Sequence, residues 1–466
     1  MTTLFYVCWV LSWGISVFHL ILQKRAPLSS LAWIFFVTLV PILGPIIYAL
    51  AGPQRLERKA SKLKDKRGPT HVSFSDSLER TSLHWRERNV LSMASQISQY
   101  DVTQGNEVEF FDDQELLLEE MAESIRNAKK TVHLQYYIIA TDEVTRNLSQ
   151  DLIDAAKRGV DVRVLYDAFG SFFLKKVTLR RLTKGGVKLA SFLPFTVFPN
   201  IRYMNFRNHR KILVVDGTQA FTSGVNIGKQ YLGRKNKKQW HDYGVRVTGP
   251  TCSQLQDVFA RDWHFATHEV VTGEIEPPAP TNQKKSTIQV LESGPDSEFH
   301  ALHKAVFLAI NSAENSITMT TPYFIPDSAI LTAMTVAALR GVRVKIILPA
   351  KSDAPHVQWA GRSFYDELID AGVEIYEYQP RILHAKLMVI DEKWTLLGSG
   401  NMDIRSFRLN FELNLLVLSQ EFSAQCETSL NKDIEDSERI VPSEFMNRSI
   451  RKRLIENTCR LFSPVM

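Results

Sequence analysis

Two short segments of this chain repeat one set of chemically useful residues at one spacing. The first reads Asn208-His209-Arg210-Lys211-Ile212-Leu213-Val214-Val215-Asp216, followed by Ser223-Gly224-Val225-Asn226. The second reads Leu383-His384-Ala385-Lys386-Leu387-Met388-Val389-Ile390-Asp391, followed by Gly398-Ser399-Gly400-Asn401. His, Lys, Asp and Asn keep identical offsets in both. A His and a Lys two residues apart on a strand point to the same face, and the apolar run after each Lys fits a strand buried on both sides. Asp216 and Asp391 then fall at a turn, and the small polar loop carrying Asn226 or Asn401 can return to the same end. Each segment offers an imidazole, an ammonium and an amide, a set suited to a phosphate. A single histidine on a strand is ordinarily structural. Two of them, each with Lys and Asn at fixed offsets, form the matched constellation expected of an active site.

The elements that must position these residues are themselves repeated. Ala155-Ala156-Lys157-Arg158-Gly159-Val160-Asp161-Val162-Arg163-Val164 recurs as Ala337-Ala338-Leu339-Arg340-Gly341-Val342-Arg343-Val344-Lys345-Ile346, each the end of an amphipathic helix, a Gly turn and a strand. A matched strand precedes each (Val132–Ile138 and Ile317–Phe324), and a Gly-Val strand start follows each, at Gly186-Val187 and Gly372-Val373. Any one match could arise by chance; their shared order argues for duplication, and alternating strands and helices argue for an α/β fold. The expected architecture is two duplicated α-β-α sandwich lobes with pseudo-twofold symmetry, residues 101–272 and 287–466. The Pro- and Lys-containing stretch 273–286 reads as the linker between them.

The N-terminus differs in kind. Leu4–Leu22 is almost wholly apolar or small, a short break with Lys24 and Arg25 follows, and Leu28–Ala51 is a second uncharged run. Each is near the roughly 20 residues needed to cross a bilayer as a helix, so residues 1–52 are expected to form a two-helix membrane hairpin. A signal peptide would need basic residues ahead of the apolar run, and no Lys or Arg precedes Leu4. Arg55, Arg58, Lys59, Lys62, Lys64, Lys66 and Arg67 follow the second run, within a basic connector spanning residues 53–100. The positive-inside rule places the rest of the chain on the cytoplasmic side. Pro41 and Pro45 could kink the second helix, and a re-entrant hairpin predicts the same side. The basic flank serves equally as a stop-transfer signal or as a ligand for anionic headgroups.

Composition is that of a folded protein: 466 residues, 44% hydrophobic and 23% charged, with a net charge of +6. The 4 cysteines are scattered without a Cys-x-x-Cys pair, which suggests neither a disulfide framework nor a zinc site.

The paired segments match the HKD motif that identifies members of the phospholipase D superfamily. Together with the N-terminal apolar runs, Leu31-Ala32-Trp33-Ile34, Gln239-Trp240-His241-Asp242 and Thr321-Pro322-Tyr323-Phe324-Ile325-Pro326-Asp327, the chain resembles the bacterial cardiolipin synthases over essentially its full length. That resemblance implies the phospholipase D fold and a two-step displacement. One imidazole attacks phosphorus to form a phosphohistidine; the other protonates the departing glycerol oxygen and then deprotonates the incoming hydroxyl. By analogy with family members, His209 is the nucleophile and His384 the general acid, although the symmetry of the sequence leaves the order open. Lys211, Lys386, Asn226 and Asn401 would stabilise charge on the phosphorane.

The superfamily motif gives Asp216 and Asp391 a catalytic part, while a turn carboxylate is as often structural. Glu412 and Asp242, each on a short polar-apolar stretch after its motif, are the candidates for orienting the imidazoles. No metal or other cofactor is expected. The implied substrate is phosphatidylglycerol as both donor and acceptor, with a membrane and no nucleic acid as partner, at the bacterial inner membrane with the catalytic part in the cytoplasm. Water or serine as acceptor would make the enzyme a phospholipase D or a phosphatidylserine synthase, and a membrane-bound nuclease is the reading outside lipid chemistry. The basic amphipathic stretch from Arg448 to Phe462 fits a membrane surface or docking on the second lobe.

Overall fold

A computed structural model describes residues 2–22, 27–51, 85–194, 205–232, 239–271, 286–295 and 300–463. The chain falls into two compact units, Met1–Lys66 and Arg67–Met466. The basic residues 55–67 and all but the last residue of the expected linker lie outside the described residues.

The first unit holds helices Thr2–Ile21, Pro27–Leu39 and Leu43–Ala51. Trp13 Nε1 donates to Thr38 Oγ1 at 2.8 Å, His19 Nδ1 lies 3.0 Å from the Tyr48 hydroxyl, and Leu20, Val37 and Tyr48 are buried between the helices. The second apolar run is not one helix. It breaks at Pro41, which lacks an amide hydrogen, and at Ile42, whose φ is 64°. Among the described residues no helix is long and apolar enough to cross a membrane. Tyr6, Ile15, Phe18, Phe35 and Leu39 point outward.

The second unit is mixed α/β. Its first half supplies strands β1 (Thr103–Phe111), β2 (Thr131–Tyr136), β3 (Asp161–Asp167), β4 (Lys188–Phe192), β5 (Arg207–Asn208), β6 (Ile212–Val215), β7 (Gln219–Ser223), β8 (Trp240–His241) and β9 (Gly244–Thr248). Its second half supplies β10 (Ser286–Ser293), β11 (Ser316–Thr320), β12 (Phe324–Ile325), β13 (Arg343–Pro349), β14 (Glu374–Tyr378), β15 (Ile382–Leu383), β16 (Leu387–Ile390), β17 (Trp394–Gly398), β18 (Met402–Asp403), β19 (Asn410–Leu418) and β20 (Ser437–Arg439). The large sheet runs β20-β14-β13-β11-β16-β17-β19-β10-β1-β9-β7-β6-β2-β3-β4, with β5 beside β19. Counted outward from the central antiparallel pair of β10 and β1, the strands β19, β17, β16, β11, β13, β14 answer β9, β7, β6, β2, β3, β4. The helix-Gly-strand segments read in the sequence are the ends of helices Glu143–Lys157 and Ser328–Leu339, left-handed Gly159 and Gly341 (φ 93° and 92°), and β3 and β13. One sheet thus passes through both halves.

Alternation sets the layers. On β6, Ile212 and Val214 enter an inner core shared by both halves, with Leu255 and Val258 of helix Thr251–Thr267 and Cys426 and Leu430 of helix Gln420–Glu435. Leu213 and Val215 face the opposite way, onto Leu117, Met121 and Ile125 of helix Gln114–Asn127. On β16, Leu387 and Val389 share the inner core, while Met388 and Ile390 pack with Leu302 and Met334. Truncating such a residue, as in Leu213→Ala, costs about 2–5 kcal/mol, so the strands after both lysines are firmly fixed. The C-terminal helix Ile450–Leu461 docks on the second half: its Glu456 is buried, accepting from Arg448 Nε at 2.7 Å and Arg362 Nε at 3.4 Å.

Candidate active site

The two His-x-Lys segments lie in the links β5–β6 and β15–β16, not within strands. The strands expected to carry them begin only after each lysine, because the histidine amides are engaged by the opposite half. His209 N donates to Phe411 O of β19 at 2.9 Å, and His384 N donates to His241 O of β8 at 2.7 Å. Parallel pairing extends both contacts: β5 runs beside the start of β19, and β15 beside β8. Each motif therefore leaves the sheet of its own half to bond with the other.

The carboxylates follow the same crossing. His209 Nδ1 lies 3.0 and 3.1 Å from the two oxygens of Glu412, and His384 Nδ1 lies 2.6 Å from Asp242 Oδ2. Both sequence candidates for orienting the imidazoles thus reach one, each serving the histidine of the motif it does not follow. A ring that gives its Nδ1 proton to a carboxylate leaves Nε2 for chemistry and is fixed in orientation. Both carboxylates are fully buried and held in turn. Ser399 Oγ donates to Glu412 Oε2 at 2.5 Å and Asn410 Nδ2 to Oε1 at 3.1 Å, while Tyr243 N donates to Asp242 Oδ1 at 2.9 Å. A Cβ on Gly224 would collide with the Asp242 carboxylate, so that glycine makes room for it.

Lys211 Nζ donates to His209 O at 2.7 Å and sits 5.5 Å from the centre of the Tyr137 ring. Lys386 Nζ donates to His384 O and lies 3.6 Å from Asp242. Burial pushes the Lys211 ammonium down to about 7, opposed by Glu412 and reinforced by Lys386. It lowers Lys386 as well, against the pull of Asp242. Burial also lowers both imidazoles. Lys211 and Lys386 add to this at His209 against Glu412, and Lys386 and Lys211 add to it at His384 against Asp242. Burial would raise the carboxylates, but Lys386 and His384 hold Asp242, and His209 and Lys211 hold Glu412, below the usual range. Each imidazole feels the ammonium of both motifs, so the six side chains form one electrostatic cluster. Burial and the neighbouring ammoniums oppose protonation of the rings, while the carboxylates favour it.

Asp216 and Asp391 stand at the other ends of β6 and β16 from the lysines, both with φ 52°. The Asp216 carboxylate accepts from the amides of Lys129, Lys130 and Thr131 at 2.6–2.9 Å. That of Asp391 accepts from Glu314, Asn315 and Ser316 at 2.7–2.9 Å. They tie turns to the starts of β2 and β11, and the structure does not bring them to the imidazoles. Asn226 is buried, accepting from Ile138 N and donating to the Tyr231 hydroxyl, both at 3.2 Å. Asn401 is buried too, but its Oδ1 has no hydrogen-bond partner among the described residues, and it lines a cavity of ≈ 20 Å³ with Lys386 and Asn414.

Sequence reasoning did not single out Ser399 as the residue holding Glu412, nor Trp240, whose ring is 4.8 Å from that of His384. Tyr137 and Tyr323 stand edge-on to His209 at 4.8 Å and His384 at 6.4 Å.

The family model described as "Cardiolipin synthase, PLD-like domain" matches residues 121–263 and again 306–434, one match over each His-x-Lys segment. A second, "Phospholipase_D-nuclease N-terminal", matches residues 11–53. A cardiolipin synthase of Clostridium perfringens is 36% identical over 459 residues, 96% of each chain. Cardiolipin synthase 2 of Bacillus anthracis is 33% identical over 454 residues, 96% of this chain and 88% of that one. Among solved structures, phosphatidylserine synthase of Haemophilus influenzae shares the fold, with a TM-score of 0.58 at 16% identity, covering 77% of this chain and 95% of that one.

Proposed function

From the premise that the chain belongs to the cardiolipin synthase family of phospholipase D-like proteins and is a phosphatidyltransferase, we propose that it transfers phosphatidyl from one phosphatidylglycerol to another, releasing glycerol and forming cardiolipin. The observation that carries this reading is the crossed pair of His–carboxylate contacts, His209 with Glu412 and His384 with Asp242, around buried Lys211 and Lys386. The duplicated halves each contribute one imidazole and the carboxylate for the other's.

His209 Nε2 attacks the donor phosphorus while His384 Nε2–H gives its proton to the departing glycerol oxygen. The hydroxyl of the second phosphatidylglycerol then loses its proton to His384 and attacks the phosphohistidine, which restores His209. The phosphodiester anion adds negative charge beside the lowered His384 imidazole and so favours its taking up the proton it must donate. Lys211 and Lys386 neutralise the equatorial oxygens, and Asn226 and Asn401 offer amide hydrogens. Asp216 and Asp391 act on the scaffold alone. The outward apolar residues of the first unit suit a hairpin embedded from the cytoplasmic face of a bacterial inner membrane, with the catalytic unit in the cytoplasm.

Membranes containing the full chain and labelled phosphatidylglycerol are expected to yield cardiolipin and free glycerol without nucleotide. Product that requires CDP-diacylglycerol, or phosphatidic acid in place of cardiolipin, refutes the proposed exchange. His209→Ala and His384→Ala should each reduce transfer by about 10⁴-fold or more. Acid-quenched adduct mapped by mass spectrometry belongs on His209, and recovery on His384 reverses the roles.

A further inference from the structure

Beside its His-x-Lys link the first half carries a surface that this chemistry does not use. The chain leaves β3 at Asp167 and turns through residues 168–175 into the helix Lys176–Lys184. Asp167 is buried and divides its carboxylate. Oδ1 accepts from Phe169 N and Gly170 N, and Oδ2 accepts from Asn208 N, the residue before His209, all at 2.9 Å. Ser171 Oγ donates to Tyr137 O at 2.9 Å and accepts from Ile139 N at 3.0 Å. Gly170 packs so closely on Tyr137, the ring beside His209, that a Cβ would collide with it. Thr141 Oγ1 donates to Phe173 O at 2.9 Å. The turn is thus held by its own hydrogen bonds against the residues flanking the imidazole.

What it displays is apolar. Phe172 is 64% and Phe173 85% exposed, with ring centroids 5.5 Å apart, and Phe169 and Val177 are exposed beside them. Lys175, Lys176, Arg180, Arg181 and Lys184 line the same segment, and no acidic residue falls between Asp167 and Lys184. A fixed turn that presents paired aromatic rings within a field of cations matches the boundary between acyl chains and anionic headgroups.

We infer that residues 169–184 seat the catalytic unit on an anionic phospholipid bilayer, with Phe172 and Phe173 entering the apolar layer and the lysines and arginines meeting headgroup phosphates, so that a headgroup rises to His209 without leaving the membrane. The inference rests on the phosphatidyl-transfer reading.

The test compares the full chain with Phe172→Ser/Phe173→Ser on two forms of phosphatidylglycerol: vesicles of equal parts phosphatidylglycerol and phosphatidylcholine, and a short-chain form dissolved as monomers. The variant is expected to lose about tenfold or more on vesicles and to stay within about twofold on monomers. Lys175→Glu/Lys176→Glu should also lose rate only on vesicles. Equal losses on both substrates, no loss on either, or a dimer that the Phe variant turns to monomer overturns the inference. A nitroxide on Phe173→Cys, with Cys8→Ser and Cys459→Ser, reads immersion independently of turnover in the same vesicles. It should be accessible to oxygen and shielded from a water-soluble nickel chelate. Full nickel access overturns the inference, whereas a shielded probe on an inactive wild type faults the transfer reading alone.

Discussion

At His209 the supporting carboxylate is Glu412, set against Nδ1 through both oxygens and held by the Ser399 hydroxyl; at His384 it is Asp242, shorter, closer and held by a backbone amide. Gly224 and Ser399 stand at the same place in their loops, 8 residues after Asp216 and Asp391 (224 − 216 and 399 − 391). One gives up its side chain so that Asp242 can approach, and the other uses its side chain to hold Glu412. The residue between His and Lys differs as well. Arg210 is buried and bonded to Asp262 and Glu292, each at 2.7 Å, whereas Ala385 has nothing to bond. Two stations with the same imidazole and ammonium are therefore supported by different chemistry. Sequence repetition has preserved the imidazoles and ammoniums and not their surroundings, an asymmetry that the proposed division of labour between the two rings would use.

Removing one carboxylate charge at a time is the strongest way to break this comparison. Glu412→Gln and Asp242→Asn should each lower kcat by about 10²–10³-fold. In rapid-quench experiments Glu412→Gln should slow adduct formation, and Asp242→Asn should slow both adduct formation and its transfer to the acceptor, since His384 moves a proton in each step. Values within about threefold of wild type for both would mean that the carboxylates do not orient the rings.

The loop position separates the stations next. Gly224→Ala forces a methyl into the Asp242 carboxylate and should cost about 10²-fold in kcat, whereas Ser399→Ala deletes one charge-assisted hydrogen bond and should cost about tenfold. The reverse order in steady-state assays would remove the difference drawn between them.

The pH dependence is subtler. Lys211 titrates at about 7 in the empty site, and raising the pH through that value removes a positive charge that phosphate needs, so kcat/KM should fall above about pH 7. Lys211→Arg keeps its charge and should move this alkaline limb upward by more than one pH unit, whatever its absolute rate. An unmoved limb assigns it to another group.

The smallest effect on rate is expected at the turns. Asp216→Asn and Asp391→Asn should leave kcat within about threefold of wild type, yet lower unfolding stability by roughly 1–3 kcal/mol in denaturant titrations, since each loosens amides at a strand start. A large kcat loss without loss of stability would return these residues to the chemistry.

Much of the site is legible in the amino-acid order alone. Identical spacing around His209 and His384 gives it away, and the apolar runs Ile212–Val215 and Leu387–Ile390 read as strands buried on both faces, as they are. The crossing of Glu412 to His209 and of Asp242 to His384 is not legible, because spacing along a chain fixes the order of groups after a motif and not the half they meet. The His-x-Lys segments look like strand for the same reason, as nothing local reveals that their amides bond to Phe411 and His241. The break at Pro41 and Ile42 is signalled by the proline, but hydropathy alone averages over it. Asp216 carries a motif's prestige, and only its three amide partners reveal what it holds.

The exchange of carboxylates between halves has a consequence for synthesis on the ribosome. A nascent chain that has emerged only as far as β9 contains His209 without its glutamate and Asp242 without its imidazole. Both crossed contacts are complete only once β19 has emerged, the strand that delivers Glu412 and pairs with β10.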